Sequence, residues 1–224
     1  MTTPTQPLQE EHNEEAGSGA GAGTPSRPGA TPEQRALLDL LSEWLTLERD
    51  GIRLYQHYES AAAEEAQVTL AGYRAEITRH VGLLEQTIID LGGEPSYISP
   101  LGVTARRLTD VLLELDQMVP PERRGMYRLE ALLVFETRDQ LLWEMLAALA
   151  QHGSAAAGAG ALRRAAVGVQ SVEALGAGDA PRHGERLQWI RAAMQQLVLT
   201  DAGLPGAHDA ATGWAHMLRR LFVP

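Results

Sequence analysis

The chain has 224 residues, a net charge of -10 and no cysteine, and every one of its 19 basic residues is arginine. These facts exclude thiolate zinc sites, iron–sulfur clusters, cysteine nucleophiles, a lysine Schiff base and the P-loop lysine. The acidic balance argues against nucleic-acid binding, and no apolar run reaches the ~20 residues of a membrane span.

Residues 1–30 are rich in Gly, Ala, Pro, Ser, Thr and Glu, and read as a disordered acidic tail. This N-terminus is too polar for a signal peptide, so a cytoplasmic location is expected. Order is expected from Thr31, a helix cap followed by Pro32, with Gln34 completing a capping box. Helix A then carries Leu37, Leu41, Trp44, Leu45, Glu48, Ile52 and Tyr55 at helical spacing, to about residue 62. Helix B, about 65–91, carries Leu70, Tyr73, Glu76, Ile77, His80, Leu84 and Ile88, and ends at Gly92-Gly93. A connection follows, with a shorter helix at about 101–119 between Ser99-Pro100 and Pro120-Pro121. Helix C, about 122–151, carries Leu129, Leu132, Glu136, Gln140, Trp143 and Ala147 on its stripe. A short helix at about 162–174 precedes a Gly/Pro break, and helix D runs from about 182 to 201 with His183, Leu187, Ile190, Met194 and Leu197 on one face. Residues 204–224 form an extension with a short amphipathic helix, Trp214 to Phe222. Two helix pairs joined by a long connection predict an all-α, ferritin-like four-helix bundle over 31–203, with a B–C crossover carrying a short helix.

Three apolar stripes contain a glutamate: Glu48, Glu76 and Glu136. A carboxylate facing a helical core must be paired, protonated or metal-bound. Glu48 lies as far before the A–B turn as His80 lies after it, so an antiparallel hairpin puts them at one level. Glu76 is one turn from His80 on the same face. Glutamates and a histidine on neighbouring helices make half of a two-metal carboxylate site. The halves of the chain also resemble one another: LTLERDGIRLY (45–55) reads against LVFETRDQLLW (133–143).

The combination of Glu76-x-x-x-His80, LGGEPSYISP (91–100) and LEALLVFETRDQLLW (129–143) resembles the ferritin-like superfamily. Its nearest likeness is to poorly characterised bacterial ferritin-like proteins rather than to ferritin proper, over roughly Leu37 to Trp143. The resemblance implies an iron or manganese site, with Glu48, Glu76, His80 and Glu136 on ligand positions. The departures are specific. The usual Glu-x-x-His is Glu-x-x-x-His here, and relatives often have His at the position of Gln140. Helix D has no Glu-x-x-His; Asp179 lies in the break, and Arg186 stands on the inward face. An arginine there would satisfy buried carboxylates in place of a metal.

Two functions follow. The first is a metalloprotein with a reduced or asymmetric site, suited to iron or manganese, whose chemistry would be Fe(II) oxidation or reaction with O2 or peroxide, a ferroxidase- or peroxide-handling-type oxidoreductase if it is an enzyme. The alternative is a metal-free structural or interaction module with a degenerate site. Residues 207–224 are expected either to cap the bundle or to dock on a protein partner, and dimerisation is compatible with either. Trp44, Tyr55, Tyr73 and Trp143 read as core aromatics, and His57 and Glu59 as exposed residues near the A–B turn.

Overall fold

The computed structural model describes residues 30–62, 64–152, 159–175 and 183–201, and among these all regular secondary structure is helical. The helices are α1 (Pro32–Ser60), α2 (Glu64–Asp90), α3 (Pro100–Met118), α4 (Pro121–His152), α5 (Ala159–Leu175) and α6 (His183–Asp201). Residues 1–29 of the expected 1–30 tail, Asp179 and the expected helix at 214–222 lie outside the described residues. No helix among the described residues is long and apolar enough to cross a membrane.

Local chemistry sets the helix ends. The Thr31 hydroxyl accepts the Gln34 N–H at 3.2 Å, and Pro32 occupies the first turn. Gln34 itself does not close a capping box. Its Nε2 donates across to the Leu91 carbonyl at 2.8 Å, and so caps the end of α2 instead. That end turns through Gly92 at φ 78, with the Gly93 N–H on the Ile88 carbonyl at 2.9 Å. A side chain at such a φ is strained, which is why glycine stands there. Ser99 caps α3 by accepting the Gly102 N–H at 3.1 Å. The Ser42 hydroxyl holds this connection to α1: it accepts the Ser99 N–H at 2.9 Å and donates to the Tyr97 carbonyl at 2.8 Å.

Cross-helix partners give the directions. Along α1, Glu48 and Glu59 meet His80 and Arg74, so α2 runs antiparallel to it. Glu48 and Tyr55 meet Trp143 and Glu136, so α4 also runs antiparallel to α1. Arg53 and His57 meet Asp110 and Asp116, so α3 runs parallel to α1. On α5, Arg164 reaches Asp90 at 2.6 Å, and Gly168 lies against Leu83 of α2. Arg186 and Trp189 bring α6 against α2 and α4. The core formed between these helices includes Leu41, Leu45, Leu54, Leu70, Ile77, Leu84, Leu132 and Leu146. Tyr55, Tyr58 and Tyr73 are buried in it.

The expected exposure of His57 and Glu59 is not found. Both are half-buried, because α3 and α2 cover them: His57 Nε2 lies 2.9 Å from Asp116 Oδ2, and Glu59 accepts from Arg74. Arg128 of α4 completes the first group, donating from Nε to Asp116 Oδ1 at 2.8 Å and joining three helices.

The α1–α4 approach is tight at Gly51. A Cβ there would lie 2.2 Å from Phe135 Cζ, and the ring is buried with 2% exposure. Gly51→Val should therefore destabilise the fold by about 2–3 kcal/mol through overpacking. Gly82 is the control: nothing lies within 4 Å of its added Cβ. Gly82→Ala should stabilise by about 0.5–1 kcal/mol, since alanine is the better helix former. Urea unfolding of the two variants measures both signs.

Candidate metal centre

Four helices converge on one buried polar cluster. α1 supplies Glu48 and Tyr55, α2 supplies Tyr73, Glu76 and His80, α4 supplies Glu136, Asp139 and Trp143, and α6 supplies Arg186. Glu48, Glu76, His80, Glu136, Asp139 and Arg186 are each at most 3% exposed. Glu48 and His80 meet as the hairpin arithmetic requires, with His80 Nδ1 3.2 Å from Glu48 Oε1.

The cluster has two parts. In the first, one ligand atom each from Glu48, His80 and Asp139 lie within 4.8 Å of one another. The Trp143 Nε1–H donates to Glu48 Oε1 at 3.0 Å, fixing that carboxylate. Among the described residues, no amide, hydroxyl or ring N–H reaches Glu48 Oε2. In the second part, Arg186 lies between the other two glutamates. Its Nη2 donates to Glu76 Oε1 at 2.5 Å, and its Nη1 contacts both oxygens of Glu136 at 3.2 Å. The Tyr55 O–H donates to Glu136 Oε1 at 2.5 Å, and the Arg186 guanidinium lies 5.0 Å from the centre of the Tyr73 ring.

All four expected ligands therefore reach one cluster, but only Glu48 and His80 belong to the three-donor group. Glu76 and Glu136 surround Arg186. The third donor is Asp139, and the expected inward residue Gln140 instead donates to Glu144 at 2.8 Å on a more exposed side of α4. The reason is helical phase: Glu136, Asp139 and Trp143 follow the i, i+3, i+7 face. The Trp143 indole also has a polar role beyond core packing. His183 begins α6, but its side chain is not among those described.

Burial dominates the electrostatics. It pushes Glu48 up to about 8; the Asp139 contact opposes this, and the Glu136 charge adds to it. Asp139 is raised well above the carboxylate range, first by burial and then by the Glu48 and Glu136 charges. Burial also raises the Tyr55 phenol well above its usual value, with the Glu136 charge acting in the same direction. For Arg186, burial acts to lower the pKa, but Glu136 and Glu76 outweigh it and the guanidinium is held more firmly charged. Arg186 hydrogen-bonds the Glu76–Glu136 pair, while burial disfavours the ionised forms of both Glu48 and Asp139. The His80 contact can be met in two ways: with its ring proton on Nδ1 it donates to Glu48, and with the proton on Nε2 the Nδ1 lone pair needs a protonated Glu48 or a cation facing it.

No protein-family model, curated protein or solved structure matches this sequence.

Proposed function

We propose that the chain is a ferritin-like helical metalloprotein whose site is reduced to one Fe(II) or Mn(II) ion, held by Glu48, His80 and Asp139. The observation that carries this reading is the convergence of two buried carboxylates and an imidazole, from three different helices, to within 4.8 Å. The donor set fits the ion chemically. Carboxylate oxygens and imidazole suit Fe and Mn, and a divalent ion would place positive charge beside the buried Glu48 and Asp139 carboxyls. Glu48 Oε2, buried and unreached by any N–H donor among the described residues, is available to such a cation. When bound, the metal would supply one-electron chemistry towards O2 or peroxide.

The chain's own groups have separable roles around that ion. Trp143 orients Glu48 through its indole N–H. Its ring also lies edge-on to His80, with centroids 4.8 Å apart, and limits rotation of the imidazole. Arg186 and Tyr55 hydrogen-bond Glu136, and Arg186 also holds Glu76. That guanidinium stands where a second cation would otherwise be needed, which makes the site asymmetric.

A second reading, a metal-free helical module, is favoured by the same Arg186 contacts. There the Glu48–Asp139 pair carries a proton and the cluster specifies helix packing alone. Elemental analysis of untagged protein, reconstituted anaerobically with Fe(II) or Mn(II), separates the two. The metalloprotein reading predicts about one equivalent per chain, falling below about 0.2 in Asp139→Asn. Wild-type content below about 0.2 equivalents overturns it.

A further inference from the structure

The outer face of α3 carries a pattern that the polar cluster does not explain. Gly102, Ala105, Thr109 and Asp116 are the buried residues of α3. On a different face, Leu101, Thr104, Leu108, Val111, Leu115 and Met118 succeed one another at alternating steps of three and four. This is a strict heptad seam, with leucine at every first position. Most of it is open to solvent: Leu101 is 52% exposed, Val111 46%, Leu115 41% and Met118 75%, while Leu108 is half-buried. A 3.5-residue repeat is the spacing that keeps a stripe facing another helix along its length.

The flanking charges select the occupant. Arg107 and Glu114 occupy the position before each of the later two leucines, and both are exposed and form no ion pair among the described residues. Consider a second copy of α3 laid antiparallel across a two-fold axis level with the Thr109–Asp110 step. Leu101 then meets the partner's Met118, Leu108 meets the partner's Val111, and Leu115 meets the partner's Thr104. In that same register Arg107 faces the partner's Glu114, and the symmetry makes this ion pair twice. One alignment satisfies both the apolar layers and the charges. A parallel pairing instead sets Arg107 beside the partner's Leu112 and Glu114 beside the partner's Val119, so neither charge meets its opposite.

We propose that α3 is a self-association surface on which a second copy of this chain pairs as an antiparallel coiled coil. The interface is short and its charges lie at the rim, so the dimer is weak and reversible, with a dissociation constant on the order of 10 μM.

Sedimentation equilibrium of the full-length chain from about 1 to 300 μM, at low salt, tests this. A monomer–dimer equilibrium is expected, abolished by Leu115→Glu. Arg107→Glu and Glu114→Arg should each weaken it about tenfold, and the double exchange should restore it, since the partner charges again oppose. All these positions are exposed, and circular dichroism checks that the helices persist. A monomer throughout the range overturns the proposal. So does a dimer indifferent to these substitutions, which would lie on another surface. A chain that dimerises only after deletion of residues 207–224 also overturns it, because that segment would then be the native occupant of the seam.

Discussion

Replacing Arg186 by methionine is expected to destabilise the protein by about 3–5 kcal/mol, the usual cost of leaving buried charges without their partner. The guanidinium has no measurable exposure and contacts Glu76 and Glu136 together, so its loss removes the counter-charge it gives to two buried carboxylates, of which Glu136 keeps the Tyr55 hydrogen bond. Methionine nearly fills the stem volume, so the loss is mainly electrostatic. Adding Glu76→Gln and Glu136→Gln to the methionine variant should recover much of the stability, because a neutral cluster no longer needs a counter-charge. Chemical denaturation of the three proteins checks the order. An Arg186→Met variant within about 0.5 kcal/mol of wild type would remove the guanidinium from the account of the core.

The second large effect is a change of sign. In chelated protein, Glu48 has a folded pKa of about 8 against an ordinary value of 4.5, chiefly because it is buried. The folded state therefore holds a proton that the unfolded state has already lost. The associated stability is fully present below about pH 4.5 and is lost as pH rises through about 8, at up to about 1.4 kcal/mol per pH unit. Asp139 is shifted in the same direction by burial and by Glu48. Asp139→Asn removes one of the two coupled acids. It should raise the stability of chelated protein at pH 8–9 by about 1–3 kcal/mol. In the presence of saturating Mn(II) or Fe(II) the same substitution should be destabilising, because it removes a ligand. For wild type, free ion at about 100 times its dissociation constant adds about 2.7 kcal/mol. Urea titrations at pH 5, 7 and 9, with chelator and with metal, give both signs. A variant that is more stable than wild type in both conditions fits only the metal-free module.

Much of the helical layout was legible because its signals are local. Thr31-Pro32, Gly92-Gly93 and Ser99-Pro100 mark ends through hydrogen bonds and φ preferences that act over a few residues. The level pairing of Glu48 with His80 was legible too, since counting outwards from one tight turn fixes height along an antiparallel hairpin. Arg186 is readable as an inward residue from the Leu187 and Ile190 face beside it, where an arginine can take the place of a metal. Asp139 was not. Steps of four from Glu136 lead to Gln140, whereas the face shared with Trp143 passes through the residue three positions on. Testing both i+3 and i+4 from each inward glutamate would have exposed it. The division into a three-donor group and an arginine-bridged pair was beyond sequence alone, since it depends on the side on which α6 inserts its guanidinium.

The central claim is that this cluster holds one cation rather than two or none. The most direct measurement is an anaerobic titration of chelator-treated protein with Mn(II), reading free ion by its electron paramagnetic resonance signal, at a pH near 7.5 where Glu48 is close to its midpoint. The account predicts saturation at about one Mn(II) per chain, with binding lost in Asp139→Asn and retained in Gln140→Ala. Saturation at two ions would mean that Arg186 yields its place to a metal, and a free-ion signal rising from the first addition, with no bound fraction, would contradict the metal centre altogether.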